Sequence, residues 1–490
     1  MRQPRRRGAS VAVPRVPIVV AVVAIVVAAA VLDRGAPERG RASPARPVAA
    51  LGPTVPDADA VSVTWYCAEG TAAPEGRADE TIIVANLGAD DAEAEVTVLA
   101  GDDEQPPRRR LEVPAHAQAE LRVADVVDAP ERLEVTGAVV GPGVMVEVFG
   151  GRAVVEHSIT RDDDLAVGPC ARQPSREWFF GGGTTVRGAE QVLALFNPFA
   201  TDAIVDVTFL TEAGVQSPEG VQALVVPQRS RVAVLVHDQV RRQEQVATAV
   251  RARTGRVVAE QSLAFDGSEG TRGLALSLGT TAPSRAWSLP FGSVVEGRTH
   301  TATVANFDER STEVEVGTLL DGNDTLTPET VPVPGRSVVT VDVGALVPND
   351  TEFAVEVRAI GAEPVVVEEL TTSLAASEGG AALESGVRAP ARRWAFAGLD
   401  DADADALVSV LNPGRRRVGV ELLTVDDLDA DSSAADRSLD PGERTTFTLS
   451  ELGIDPDDVL LVDATGDVVA ERVLSTSTGR SVDTGIPDRS

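Results

Sequence analysis

The sequence contains no lysine, so all 44 of its basic residues are arginines. Without lysine, a chain has neither a Walker A phosphate-binding loop nor a Schiff-base nucleophile. A Gly-x-Ser-x-Gly nucleophile elbow is also missing. The four histidines have no zinc-site spacing, and we expect them on the surface or in loops; they are His116, His157, His237 and His300. We therefore expect a protein that is not an enzyme and that binds no cofactor.

Aromatic residues make up only 3% of the chain, whereas the apolar fraction of 43% comes mainly from valine, alanine and leucine. Residues branched at Cβ pack well on the pleated surface of a sheet. The composition therefore predicts an all-β fold.

Outside the N-terminus, negative charge far exceeds positive charge. The net charge is −31, and the five arginines of residues 1–32, a stretch without acids, leave −36 for the remainder. Such an acidic surface repels the phosphates of nucleic acids, so we expect no nucleic-acid partner. Acidic runs at 162–164 and 426–431 offer oxygen ligands for calcium, but solvated loops are the preferred interpretation.

Residues 16–32 form a run of seventeen uncharged residues that follows a basic head. This length suits a membrane-spanning helix, and the arginines before it favour a cytoplasmic N-terminus. The alternative is a cleavable signal peptide, for which Ala28 to Ala30 offer small residues. Under either interpretation, the rest of the chain lies outside the cytoplasm, beyond a linker that is rich in proline and alanine.

Four tryptophans mark an internal repeat, because the same landmarks follow each of them. They are Trp65, Trp178, Trp287 and Trp394, spaced by 113, 109 and 107 residues. An apolar stretch then ends in asparagine, at Asn86, Asn197, Asn306 and Asn412. Each unit closes with a valine-rich stretch that carries a glutamate, at Glu156, Glu260, Glu368 and Glu471. About seven short strands in each stretch of ~100 residues predict an immunoglobulin-like β-sandwich.

The predicted organisation has seven parts. It comprises a basic cytoplasmic head at 1–15, a transmembrane anchor at 16–32, a disordered linker at 33–60, and four tandem β-sandwiches at 61–172, 173–282, 283–388 and 389–490.

These features together resemble an uncharacterised family of actinobacterial exported proteins that is known only as a domain of unknown function. The resemblance rests on the basic head, the single anchor and the Trp-led, valine-rich units in an acidic chain without lysine. It covers roughly residues 61 to 487. It implies an extracytoplasmic location and supplies no catalytic or binding residue.

The only two cysteines, Cys67 and Cys170, both lie within the first unit. In an exported protein, such a pair is most simply a disulfide. The bond would close a loop of about a hundred residues, which is worth up to ~4–5 kcal/mol in the chain-entropy model.

The closing glutamates suggest how the units are joined, because a partly buried charge needs a partner. The arginine before each following tryptophan is the candidate, which predicts the pairs Glu156–Arg176, Glu260–Arg285 and Glu368–Arg392. Such pairs would hold the array as a semi-rigid rod. The rival interpretation leaves each glutamate facing water at an edge strand.

The expected function is a cell-envelope stalk or interaction module that binds a protein or a cell-wall glycan and is held in the membrane through residues 16–32. Two alternatives stay open: an accessory subunit of a membrane or envelope assembly, and an enzyme whose site is not recognisable from sequence.

Overall fold

The structure is a computed structural model that describes residues 52–489, except for 73–76, 102–104, 128–130, 134–138, 321–325, 375–379, 401–403, 430–432 and 477–478. The predicted head, the predicted anchor and most of the predicted linker lie outside the described residues. Within the described part, no helix has the length and apolar character needed to cross a bilayer. The described residues all belong to one compact unit, residues 49–490.

The strands follow the alternation of the sequence. In the stretch Thr312–Leu320, for example, Val314 and Val316 are buried while Glu313 is exposed, because successive side chains of a strand point to opposite faces. The strands fall into four consecutive groups, called units 1 to 4.

Unit 1 contains ten strands and a 3-10 turn at Val123–Asp125. The strands are β1 (Ser62–Cys67), β2 (Asp79–Asn86), β3 (Ala92–Leu99), β4 (Arg108–Val113), β5 (Gln118–Arg122), β6 (Arg132–Leu133), β7 (Val139–Gly141), β8 (Gly143–Phe149), β9 (Ala153–Arg161) and β10 (Asp164–Pro169). One sheet has the order β1-β8-β3-β4, and the facing sheet has the order β10-β9-β2-β5.

Unit 2 has nine strands, a 3-10 turn at Glu219–Val221 and a short helix α1 (Val236–Gln239). The strands are β11 (Glu177–Phe180), β12 (Ala189–Asn197), β13 (Ala203–Thr211), β14 (Gly214–Gln216), β15 (Leu224–Val226), β16 (Ser230–Leu235), β17 (Val246–Thr254), β18 (Val258–Asp266) and β19 (Arg272–Leu278). The sheets are β11-β17-β13-β14, with β15 also on β13, and β19-β18-β12-β16. The second sheet is extended by β7 and β6 of unit 1.

Unit 3 has eight strands and a 3-10 turn at Gly344–Leu346. The strands are β20 (Ala286–Val294), β21 (Arg298–Asn306), β22 (Thr312–Leu320), β23 (Glu329–Val333), β24 (Ser337–Asp342), β25 (Thr351–Ala359), β26 (Val366–Ser373) and β27 (Gly380–Ser385). The sheets are β20-β25-β22-β23 and β27-β26-β21-β24.

Unit 4 has eight strands, a 3-10 turn at Val425–Asp429 and a short helix α2 (Leu449–Leu452). The strands are β28 (Ala391–Phe396), β29 (Asp405–Leu411), β30 (Val418–Thr424), β31 (Ala435–Leu439), β32 (Arg444–Thr448), β33 (Leu460–Ser475), β34 (Arg480–Thr484) and β35 (Ile486–Asp488). The long strand β33 serves both sheets, pairing with β28 and β30 in one and with β29 and β34 in the other.

The prediction of an all-β sandwich protein is confirmed, but the strand order is not that of an immunoglobulin domain. In the immunoglobulin order ABED/CFG, the first strand lies beside the second. Here the tryptophan strand β1 lies beside β8, and β2 lies between β5 and β9. Units 2, 3 and 4 follow the same arrangement. Alternation predicts which face of a strand is buried, but it does not predict the neighbouring strand.

The four units close into a ring, so the expectation of a rod is wrong. The last strand of the second sheet in each unit, here called the axial strand, packs against the axial strands of at least two other units. The axial strands are β10, β19, β27 and β34, and β10 contacts both β19 and β34. Units 1 and 4 share one hydrophobic core that includes Trp65 and Trp394. The contact between axial strands is close, since a Cβ atom at Gly273 would lie 2.3 Å from the backbone nitrogen of Ala381.

Candidate functional site

The four closing glutamates, here called the junction glutamates, lie at the contacts between units. They are Glu156, Glu260, Glu368 and Glu471, on the strands that precede the axial strands. Each side chain is at most 1% exposed. The carboxylates therefore do not face water, and the rival edge-strand interpretation is wrong.

At three of the four junctions, the junction glutamate contacts the residue that follows the glutamate of the preceding unit. His157 of unit 1 lies 3.4 Å from Glu260 of unit 2. Gln261 of unit 2 donates to Glu368 of unit 3 at 3.0 Å. Arg472 of unit 4 donates to Glu156 of unit 1 at 2.8 Å, which closes the ring. At the remaining junction, burial and then the like charge of Glu369 raise the pKa of Glu471. The position after the junction glutamate thus differs in every unit: His157, Gln261, Glu369 and Arg472.

Backbone amides of the preceding unit complete three of these junctions. Ala68 and Glu69 donate to Oε2 of Glu260 at 2.9 and 2.7 Å. Gly182 donates to Oε2 of Glu368 at 2.7 Å, and Ala397 donates to Oε1 of Glu156 at 3.1 Å. These amides all lie three to four residues after a tryptophan. The landmarks Trp and Glu of the sequence therefore belong to one recurring contact between neighbouring units.

The predicted pairs Glu156–Arg176, Glu260–Arg285 and Glu368–Arg392 are not formed. The three arginines are exposed, whereas the glutamates are buried. Arg285 instead donates to the carbonyl oxygens of Ala359, Gly361 and Ala362, and Arg392 donates to that of Thr465. Because Arg285 and Arg392 precede their tryptophans at an exposed end of the strand, they bind carbonyl groups of their own unit. The glutamates do join units, but with different partners.

Burial raises the pKa values of several junction groups. The pKa of Glu156 rises to about 7 although Arg472 opposes the shift, and that of Glu471 rises to about 8. Burial also raises the pKa of Glu384 well above its usual range, and a hydrogen bond between the carboxyl groups of Glu384 and Glu471 adds to the shift. Burial alone would lower the pKa of His157, but the carboxylates of Glu260 and Glu80 raise it to about 10. Charge at these junctions is therefore distributed differently in each pair of units.

Glu368 is the best junction group on which to test a raised pKa, because no arginine is among the main causes of its pKa shift. Burial raises its pKa to about 7, although hydrogen bonds from Ser385, Gly182, Ser277 and Gln261 lower it. The unfolded chain has a pKa near ~4.3. From there up to pH 7, the folded state binds the extra proton, so the free energy of unfolding falls as pH rises. Between pH 5 and 8, the free energy of unfolding of Glu368→Gln should therefore fall by up to about 3 kcal/mol less than that of the wild type.

Urea unfolding at the two pH values measures this effect. The Gln side chain can accept from Gly182 and Gln261 and donate to the two serine hydroxyls, so the variant keeps the junction bonded. Glu313→Gln, an exposed change in the same unit, is the control. An unchanged pH dependence in the Glu368 variant would show that the carboxyl group titrates normally.

The predicted disulfide Cys67–Cys170 is present, with a Cα–Cα distance of 4.8 Å and a sequence separation of 103. In the other units, the same two positions hold a large side chain and a glycine: Phe180 with Gly279, Leu289 with Gly386, and Phe396 with Gly485. A Cβ atom at Gly279 would lie 2.7 Å from the ring of Phe180, so ring and glycine are matched in volume. The disulfide fills the corresponding space in unit 1.

Two histidines correct the expectation of surface or loop positions. His157 and His300 are buried, at 0% and 1% exposure. His300 lies 2.6 Å from Glu369. Ligand atoms of Cys67, His157 and Cys170 lie within 4.8 Å of one another, but the disulfide leaves no thiolate there for a metal ion.

The landmark asparagines hold one loop in every unit in the same way. In unit 3, the Asn306 amide nitrogen donates to the carbonyl oxygens of Arg310, at 2.8 Å, and Pro334, at 3.1 Å, while its oxygen accepts from the amide of Asp308 at 3.0 Å. Within their own loops, Asn86, Asn197 and Asn412 likewise donate to the carbonyl oxygen four residues on and accept from the amide two residues on, and they are fully buried like Asn306. We call the segments that follow the asparagines the clamped loops; they are 87–91, 198–202, 307–311 and 413–417.

Asn306→Ala should destabilise the protein by about 2–3 kcal/mol, because it leaves several buried backbone groups without a partner. Amide hydrogen exchange should accelerate in residues 307–311 above all. Asn349→Ala, at an exposed position of the same unit, is the matched control. Equal exchange in both variants would show that the asparagine does not hold the loop.

An axial cavity of about 120 Å³ lies where the four axial strands meet. All four units contribute to its walls, together with Gly52 and Pro53 from the segment before β1. Backbone bonding holds this segment in place, since the Val55 amide donates to the carbonyl oxygen of Pro487 at 3.0 Å. Sequence patterns did not indicate this cavity, because it exists only once the ring is closed.

A family model described as a family of unknown function, DUF5719, matches residues 152–273 and 267–488, which is more than half of the chain. Among curated proteins, none matches the sequence. Similar solved structures include the Thermotoga maritima protein 1070 (13% identity, 21% of this chain and 93% of that chain, TM-score 0.20). The Anabaena sensory rhodopsin transducer has 22% identity over 18% of this chain and 96% of that chain, with a TM-score of 0.16. Likenesses this weak carry no argument about function.

Proposed function

Because the chain belongs to DUF5719, a family of unknown function, we propose a function from the geometry: residues 61–490 form a non-enzymatic, extracytoplasmic recognition module. The module binds a protein or a glycan of the cell envelope. Four copies of one sandwich supply its scaffold, and residues 16–32 hold it in the membrane. The observation that carries this proposal is the set of clamped loops.

The clamped loops combine an identical support with different exposed chemistry. The loop of unit 1 exposes Asp90 and Asp91, and that of unit 2 exposes Phe199 at 40%. The loop of unit 4 instead exposes Arg415 and Arg416. Binding residues are commonly placed on loops that a rigid scaffold positions, because the scaffold limits the entropy lost on binding. The four loops differ in charge and apolar character, although the asparagines hold them in the same way. This combination supports the proposal that the loops recognise a partner.

The proposed location is supported by two properties of the chain. A disulfide persists in oxidising compartments and is rare in the cytosol. The basic residues before the apolar run 16–32 favour an N-terminus in the cytoplasm and export of the rest.

In situ cross-linking of the tagged full-length protein in its host membrane tests the proposal. We expect discrete envelope partners to co-purify. The loop variant Phe199→Ser/Arg415→Ser/Arg416→Ser should lower their recovery at least ~10-fold, since a hot-spot side chain is worth about 1–2 kcal/mol or more. The control is Val215→Ser/Arg109→Ser, which changes exposed residues outside the clamped loops. Equal recovery from both variants would contradict binding through these loops.

A further inference from the structure

The walls of the axial cavity are apolar at its closed end. Equivalent residues of the four axial strands form a buried layer there: Val167, Leu276, Leu383 and Val482. The next layer toward solvent is partly exposed and consists of Pro169, Leu278, Ser385 and Thr484. The cavity therefore has an apolar floor and opens toward the segment at Gly52 and Pro53.

Two arginines line the open end of this cavity without a carboxylate partner. Among the described residues, neither Arg388 nor Arg489 forms an ion pair. Arg388 donates to the carbonyl oxygen of Ala282 at 2.9 Å, and Arg489 donates to that of Ala389 at 2.8 Å. These bonds hold both guanidinium groups in place. The two arginines are close enough to interact, since burial, together with the positive charge of Arg489, lowers the pKa of Arg388 to about 10.

The acidic residues of the same walls do not neutralise this charge. Asp483 accepts two bonds from Arg472 of the same unit, at 3.0 and 3.1 Å. Glu384 is hydrogen-bonded to Glu471, and burial favours its neutral form. Outside these walls, Asp467 interacts electrostatically with Arg489, but no ion pair joins these two described residues. An anion at the open end would therefore meet two cations, while the acids deeper in the wall are already occupied.

We propose that the axial cavity binds a small amphiphilic carboxylate, with its apolar body between the axial strands and its carboxylate at Arg388 and Arg489. The volume of about 120 Å³ limits the apolar body to about one small ring, because an engineered apolar cavity of about 150 Å³ holds one benzene molecule, and the carboxylate then lies at the open end. Apolar burial supplies the affinity, and the arginines select the anion, since carboxylates pair well with guanidinium groups. This site is separate from the clamped loops, so it does not depend on the proposed function above.

The test uses the full-length protein in nanodiscs and fluorine NMR with 4-fluorophenylacetate as the probe. Its neutral analogue, 4-fluorophenylacetamide, has nearly the same shape. We expect the carboxylate to bind at least ~10-fold more tightly than the amide. Arg388→Gln should abolish this preference, whereas Arg109→Gln, a change at an exposed arginine that does not line the cavity, should preserve it.

A second variant tests the place of binding. Leu278→Trp fills the partly exposed layer of the cavity and should abolish binding of both probes. Thermal unfolding checks that the Leu278→Trp variant folds. If this variant does not fold, the Arg388→Gln variant tests the proposal instead. Three results would each overturn the proposal. The wild type could bind acid and amide with equal affinity, or binding could survive both variants. The third is no binding of the probe at about 1 mM, in 10-fold molar excess over the protein.

Discussion

Removal of the disulfide by Cys67→Ala/Cys170→Ala is expected to lower the free energy of unfolding by about 4–5 kcal/mol. The bond closes a loop with a sequence separation of 103, so its loss releases a large conformational entropy in the unfolded chain. The variant also leaves a space in the core of unit 1, where Cys67 and Cys170 are both fully buried. Urea unfolding of the wild type with and without reductant measures the first part of the effect alone.

The pair Cys67→Phe/Cys170→Gly should recover about half of this loss. It recreates in unit 1 the ring and glycine that units 2 and 4 already contain, as Phe180 with Gly279 and Phe396 with Gly485. Burial of a phenylalanine side chain is worth about 1.5–3 kcal/mol, whereas the entropy of the cross-link is not regained. If this variant is no more stable than the alanine pair, the two kinds of contact do not occupy equivalent space.

Arg472→Met is expected to cost about 3–5 kcal/mol, because it leaves the buried carboxyl groups of Glu156 and Asp483 without their shared cation. The arginine is 1% exposed and holds unit 4 against unit 1. The loss should be smaller at pH 5 than at pH 8. Without Arg472, the pKa values of both carboxyl groups in the folded state rise further above those of the unfolded chain. The deficit therefore grows as pH increases.

Two comparisons isolate the ring-closing contact. Arg417 is an exposed arginine that makes two hydrogen bonds to the carboxylate of Asp440, at 2.6 and 2.7 Å. Arg417→Met should therefore lower the free energy of unfolding by less than ~1 kcal/mol. Adding Glu156→Gln to Arg472→Met should restore part of the stability, since one buried charge is then removed. Hydrogen exchange at the Ala397 amide, which donates to Glu156, should accelerate in the single variant. A loss no larger than that of Arg417→Met would contradict a structural role for the contact.

The sequence allowed prediction of the features that recur at a fixed period. The strand landmarks and the disulfide follow from alternation, spacing and compartment. The glutamates were also correctly assigned to junctions, because a charge on an apolar strand needs a partner. Their partners were missed because Arg472 and Glu156 are 316 residues apart and meet only after closure of the ring.

A signal for the junction partners was nevertheless present. The residue after each junction glutamate differs in all four units, as His157, Gln261, Glu369 and Arg472, although the glutamate before it does not change. A variable polar residue beside an invariant buried acid marks a contact between units. The strand order left no such signal, because the same alternation fits several neighbours.

Closure of the ring also limits how a gene for this fold can change. An open array tolerates recombination that adds or deletes a unit, since each unit contacts only its neighbours. Here the four axial strands meet around one cavity, and the last unit must return to Glu156 of the first. Deletion or duplication of a unit would misplace that contact and leave the axis collapsed or open. We therefore expect the loops of homologous chains to vary in sequence and length while the number of units stays at four.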